Sequence, residues 1–218
     1  MHLKDRADAG AQLAARLERY SGPDVIVLAL PRGGVPVAFE VARALSAPLD
    51  VFVVRKLGAP GHEEFAVGAI APGGVRVLNE DALAWLRLSP KTIDGIAQRE
   101  ERELRRRERE YRGNRPPPDL RDKTVMLVDD GLATGATMRA ALLAARQLSP
   151  ARVIAAVPVG APDTCREIGG LADEAVCLFM PEPFRAVGLW YDNFDQTTDD
   201  EVRDLLARAQ DFARGKTA

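Results

Sequence analysis

The sequence predicts an α/β protein built on an open parallel sheet with helices on both faces. Continuous apolar runs at Val25–Leu30, Leu49–Val54 and Thr124–Val128 read as strands buried on both sides, as parallel strands are. Helical patterns stand between them, the alternation that βαβ crossovers require. The 218 residues are 46% hydrophobic and 28% charged, a balance that supports a sizeable core.

Taken in order, Leu3–Tyr20 carries apolar residues at Leu3, Ala7, Ala11, Ala14 and Leu17, a helical stripe stopped by Ser21, Gly22 and Pro23. Gly33 and Gly34 follow the first strand and open a helix over Pro36–Leu45. Phe65–Ala71 and Val75–Leu78, parted by Pro72, Gly73 and Gly74, read as a hairpin. Helices follow over Glu80–Leu88 and Pro90–Arg112, the second closed by Pro116, Pro117 and Pro118. Beyond Thr124–Val128 come a helix over Gly135–Leu148 and strands over Arg152–Pro158 and Glu174–Met180. A short helix, Asp163–Gly169, lies between those strands, and a polar helix covers Asp199–Arg214. One domain over residues 1–218 is expected, with residues 80–118 as a helical insertion. Residues 181–198 and the C-terminal helix form a small hood.

Charge and composition remove several function classes. A net charge of -2 gives no long-range attraction for nucleic acid or an anionic membrane. No apolar run is long enough to cross a bilayer, and Met1–Arg6 lacks the apolar stretch of a secretory signal, so a cytoplasmic protein is expected. Cys165 and Cys177 fit no metal or redox spacing and read as buried thiols in a reducing compartment. With His2 and His62 as the only histidines, a zinc site or histidine triad is not expected; His62 reads as solvated. The Arg-rich stretch Pro90–Arg112 pairs Glu101 with Arg105, Glu103 with Arg107 and Glu108 with Arg112 at helical spacing. That pattern reads as a solvated, self-paired helix with a thin seam at Ile93, Ala97, Leu104 and Tyr111, and its length suits a homodimer contact.

The chemistry concentrates in Val125–Thr137. A buried strand ends in two adjacent carboxylates, Asp129 and Asp130. Small and hydroxyl residues follow at Ala133, Thr134, Gly135, Ala136 and Thr137, and a helix begins at once. Small side chains let backbone N–H groups approach an anion, and the positive helix end and threonine hydroxyls complete a phosphate cradle. Carboxylates beside it can accept from sugar hydroxyls directly or around Mg²⁺. The carboxyl end of a parallel strand is where such ligands bind. The plainer alternative is an ordinary strand–turn–helix, and the missing Gly-Lys-Ser/Thr excludes a Walker loop.

This segment resembles the phosphoribosyl pyrophosphate motif of type I phosphoribosyltransferases: an apolar strand, two acidic residues, a short linker, Thr-Gly and Thr. The resemblance implies that family's open parallel sheet with a hood, and a Mg²⁺-dependent transfer of ribose 5-phosphate to a nitrogenous base, a purine among the candidates. It implies that Asp129 and Asp130 hold the ribose hydroxyls and Ala133–Thr137 the 5-phosphate. By the same resemblance Arg32, Gly33 and Gly34 grip pyrophosphate in a loop that often contains a cis non-proline peptide. Arg55 and Lys56 would neutralise the leaving group at the end of the second strand, ahead of a closing loop from Leu57 to Glu64. In the hood, Phe184 or Trp190 would stack on the base, Val187 would touch its edge and Asp192 would assist Mg²⁺; a small aromatic core under a loop is the competing reading. One departure stands out: 6-oxopurine enzymes usually carry Asp where this chain has Ala133, which weakens hypoxanthine or guanine as acceptor. A non-enzymatic sensor binding the donor or a nucleotide on the same fold is the alternative function. A sugar-phosphate hydrolase is a third class.

Overall fold

The computed structural model describes residues 2–212, with the side chains of residues 62–65, 80 and 211 left out of the description. Its centre is a five-stranded parallel sheet in the order β2-β1-β6-β7-β8. These strands are β1 (Val25–Ala29), β2 (Leu49–Val51), β6 (Thr124–Val128), β7 (Arg152–Val159) and β8 (Glu174–Phe179). Alternate residues enter two separate cores. Val25, Val27, Ala29, Met126 and Val128 join one with the helices α1 (Arg6–Leu17) and α2 (Gly34–Leu45). Ile26, Leu28, Val125 and Leu127 join the other with α5 (Ala136–Arg146) and α6 (Pro162–Leu171). Two apolar faces explain why the strands read as unbroken hydrophobic runs.

The second sheet is antiparallel, in the order β3-β4-β5, with β3 at Arg55–Ala59, β4 at His62–Ala71 and β5 at Val75–Leu78. Here the structure corrects one expectation. Residues from Arg55 onward are not an irregular loop: Lys56 pairs with Ala69 and Leu57 with Gly68, and Leu57 and Ala59 are buried. Backbone pairing and an apolar face turn the expected loop into a third strand. The tip at Gly61 has φ 74°, a conformation that glycine adopts without steric penalty. The predicted solvation of the His62 side chain lies outside the described residues.

After the short α3 (Glu80–Leu86), α4 (Pro90–Arg112) is capped by Ser89, whose hydroxyl accepts from the Thr92 N–H. Ile93, Ala97, Leu104 and Tyr111 are its buried seam, as the pattern predicts. The three predicted Glu–Arg pairs are present. Arg112 departs from the solvated reading: it is buried, bonding Asp50 at 2.9 Å and the Val51 carbonyl as well as Glu108. It thus fastens the end of α4 to β2. The C-terminal helix α7 spans Asp199–Arg208 and ends in a tight turn at Ala209–Asp211; the rest of the stretch predicted to Arg214 lies outside the described residues. Cys165 and Cys177 are not free thiols as expected but are paired, joining α6 to β8 with their Cα atoms 6.5 Å apart. A side-by-side helix and strand bring the two together, which sequence spacing does not reveal. No helix among the described residues is long and apolar enough to cross a membrane.

Candidate active site

Adjacent parallel strands β1 and β6 release their chains at the same sheet edge. The Leu30 N–H donates to the Val128 carbonyl at 2.8 Å, so the loop Pro31–Gly34 lies directly beside Asp129 and Asp130. The Pro31–Arg32 peptide is cis. Gly33 and Gly34 are there because nothing larger fits. A Cβ on Gly33 would stand 2.0 Å from Asp130 Oδ2, and one on Gly34 would stand 2.6 Å from the Val128 carbonyl. The two loops therefore pack backbone to carboxylate.

Both carboxylates are drawn out of water. Burial pushes the Asp129 carboxyl well above its usual range, the neighbouring charge of Asp130 adds to the rise, and the Asp130 N–H bond partly offsets it. Asp130 is raised by burial too, but Arg6 opposes that shift through a 2.9 Å pair from its Nε. Arg6 carries no sequence signal that points to this site. Its guanidinium also donates to the Asp195 carbonyl at 2.6 Å and lies 3.9 Å from the Phe194 ring centroid. Only proximity in the fold, across 124 positions of chain, identifies it.

The turn after Asp130 behaves as the pattern predicts. Gly135 adopts φ 69°, and no side chain caps the start of α5. Arg139 is the residue whose N–H first returns to the Gly135 carbonyl, leaving the opening turn to an outside acceptor. Thr134 and Thr137 are exposed beside it, while Thr164 secures the loop by donating to the Ala133 carbonyl at 2.8 Å.

The cations are arranged less simply. Arg32 approaches Asp199 at 3.8 Å, and Asp199 also accepts from the Tyr111 hydroxyl at 2.7 Å, so α4 and α7 meet behind the loop. Burial and that bond push the Tyr111 hydroxyl up to about 12. Arg55 is committed to Glu100 by two bonds, of 3.0 and 2.7 Å. Lys56 is exposed and makes no ion pair among the described residues. Pro31, Arg55, Lys56 and Thr137 share a cavity of about 660 Å³.

The hood carries a small aromatic core. Phe184, Val187, Trp190 and Phe194 pack on a small core of Leu3, Ala9, Val159 and Tyr191. Val187 sits over the turn after Asp130, so close that a Cβ on Gly131 would come within 2.5 Å of it, and the Tyr191 hydroxyl donates to the Asp130 carbonyl at 2.6 Å. Asp192 is not brought to the acidic pair. Its exposed carboxylate faces His2 Nδ1 at 3.4 Å, and no group of three metal-binding side chains forms among the described residues. The hood turn carries Asp192 outward because its backbone pairs with Leu3.

The phosphoribosyl transferase domain model matches residues 2–180. A Mycobacterium tuberculosis H37Rv protein named provisionally as a phosphoribosyl transferase, Rv0571c, is 51% identical over 210 residues, covering 96% of this chain and 47% of that protein. MT0597 of strain CDC 1551 / Oshkosh, named in the same way, matches equally over the same shares of both chains. The chain thus spans about half the length of the curated relatives it matches. The crystal structure of TT1426 from Thermus thermophilus aligns with a TM-score of 0.87 at 44% identity, covering 95% of this chain and 99% of that one.

Proposed function

The chain belongs to the phosphoribosyl transferase domain family, and from that premise we propose that it transfers ribose 5-phosphate from 5-phosphoribosyl 1-pyrophosphate to a nitrogenous base, releasing pyrophosphate. The observation that carries this reading is the half-buried Asp129–Asp130 pair set between the Gly33–Gly34 backbone and the uncapped start of α5. Asp129 and Asp130 accept from the ribose 2- and 3-hydroxyls, and the first turn of α5 with Thr134 and Thr137 holds the 5-phosphate. The Arg32–Gly34 loop and Lys56 face the charge that develops as the bond from the anomeric carbon to pyrophosphate breaks and the bond to the base nitrogen forms. A base seated under Val187 completes the arrangement.

The all-oxygen, desolvated pair Asp129–Asp130 fits a hard cation, since Mg²⁺ is usually held by one or two carboxylates together with substrate phosphates and water. Bound there with the donor, Mg²⁺ would neutralise pyrophosphate charge. In this reading the protein is cytoplasmic, and the Cys165–Cys177 pair would face a reducing pool.

Pyrophosphate release is the test: purified chain, donor and Mg²⁺ against a panel of nucleobases should give release that depends on one base. The Asp129→Asn/Asp130→Asn variant should lose donor affinity by about a hundredfold, the scale of losing charged hydrogen-bond acceptors. Unchanged affinity in that variant would refute the site. The Arg6–Asp130 ion pair favours a second reading, a sensor that binds the donor without turnover. Donor binding with no release for any base would select it.

A further inference from the structure

We propose that helix α4 completes the pyrophosphate end of this site through Arg99 and Arg107; the proposal rests on the donor-binding reading above. The cavity of about 660 Å³ is bounded on the sheet side by Pro31 and Thr137, the edges of the two donor loops. Its opposite wall is α4, which contributes Arg99, Glu100 and Arg107. Four cations line this space, Arg55, Lys56, Arg99 and Arg107, against the single carboxylate of Glu100.

Existing pairs reduce that excess without removing it. Glu100 is taken by Arg55 and stands 3.6 Å from Arg99. Arg107 is held from below by Glu103, which accepts its Nε at 2.8 Å. Three hydrogen bonds, two from Arg106 and one from Arg107, hold the Glu103 carboxyl at about 2, so it stays charged and keeps Arg107 oriented. The remaining nitrogens of Arg99 and Arg107 are unbonded among the described residues. A concave site with two more lining cations than paired carboxylates, opening onto a phosphate cradle, suits a compact polyanion. Pyrophosphate is the group that the donor presents beyond its ribose. The i,i+4 glutamates thus position part of this helix rather than merely solvate it.

The test is calorimetric titration of the chain, in Mg²⁺, with inorganic pyrophosphate and separately with ribose 5-phosphate. The Arg99→Ala/Arg107→Ala variant should weaken pyrophosphate binding about ten- to a hundredfold, with ribose 5-phosphate affinity held within about twofold. Arg99→Lys/Arg107→Lys, which keeps the charge and the helix, should recover part of the loss. Arg102→Ala/Arg109→Ala, on the same helix outside the cavity, should change neither affinity. The proposal is overturned if pyrophosphate binding is unchanged in the alanine variant, if both ligands weaken together, or if the control variant weakens pyrophosphate equally. A parent chain that binds neither ligand would instead remove the donor-binding reading itself, and this inference with it.

Discussion

The acidic edge, where Pro31–Gly34 meets Asp129 and Asp130, touches the hood where Val187 approaches Gly131, yet the two are built on opposite principles. At the acidic edge, the Gly33–Gly34 backbone lies against the Asp130 carboxylate and the Val128 carbonyl, and two half-buried carboxylates are desolvated at a cost that Arg6 and the Asp130 N–H only partly offset. The hood is a loop draped over a small aromatic core, with Leu189 exposed and the buried Trp190 Nε1 without a hydrogen-bond partner among the described residues. Backbone against carboxylate marks the first region, and side chain against side chain marks the second. Geometry that must meet a fixed ligand belongs on rigid strand ends, whereas a loop can vary its fit.

Substitution should expose this contrast most sharply at Gly34. A Cβ there meets backbone atoms, the Val128 carbonyl and Asp129 Cα, which cannot step aside as a side chain can. Gly34→Ala should cost about 3 kcal/mol and lower Tm by roughly 6–12 °C, with loss of donor binding. A thermal melt indistinguishable from the parent would show that the loops are not in contact.

Asp129→Asn should act in the reverse direction on stability. A raised carboxyl keeps its proton in the folded chain at pH values where the unfolded chain has lost it. Between the ordinary carboxylate value of 3.8 and the raised one, the folded state therefore binds more protons, and stability falls as pH rises. Asparagine removes that penalty and still offers Oδ1 to the Asp130 N–H. Tm at neutral pH should rise by roughly 2–4 °C, corresponding to about 1 kcal/mol, and its decline with pH should flatten. The parent's donor binding should fade on the acid side at a higher pH than an ordinary carboxylate would dictate. A parallel pH profile for parent and variant would contradict the buried pair.

In the hood the smallest change is expected. Trp190→Phe removes the unpartnered Nε1 while keeping an aromatic ring on the satellite core, so Tm should stay within about 2 °C. Donor affinity should be unchanged. A large drop in either would give the hood the same tightness as the acidic edge.

What could be read in advance follows the same division. β1 and β6 were legible because strands buried on both faces leave an unbroken apolar signature, and Asp129–Thr137 because its chemistry is contiguous. β3 was hidden since Arg55, Lys56 and Gly58 give it the composition of an exposed strand end, and its partner β4 supplies the ladder. Arg112 looked like one more member of a surface ion pair; only the docking of α4 on β2 buries it. The hood aromatics carry no sequence signal for their packing partners, since Leu3 and Ala9 lie at the other end of the chain.

Arg6 gives the first helix a meaning that its place in the chain conceals. Its guanidinium touches Asp130, the Asp195 carbonyl and the Phe194 ring, so the opening turn of α1 is a wall of the acidic site. Shortening the chain past this residue, or rigidly fusing another protein just before it, would alter the site itself while seeming to trim only a tail.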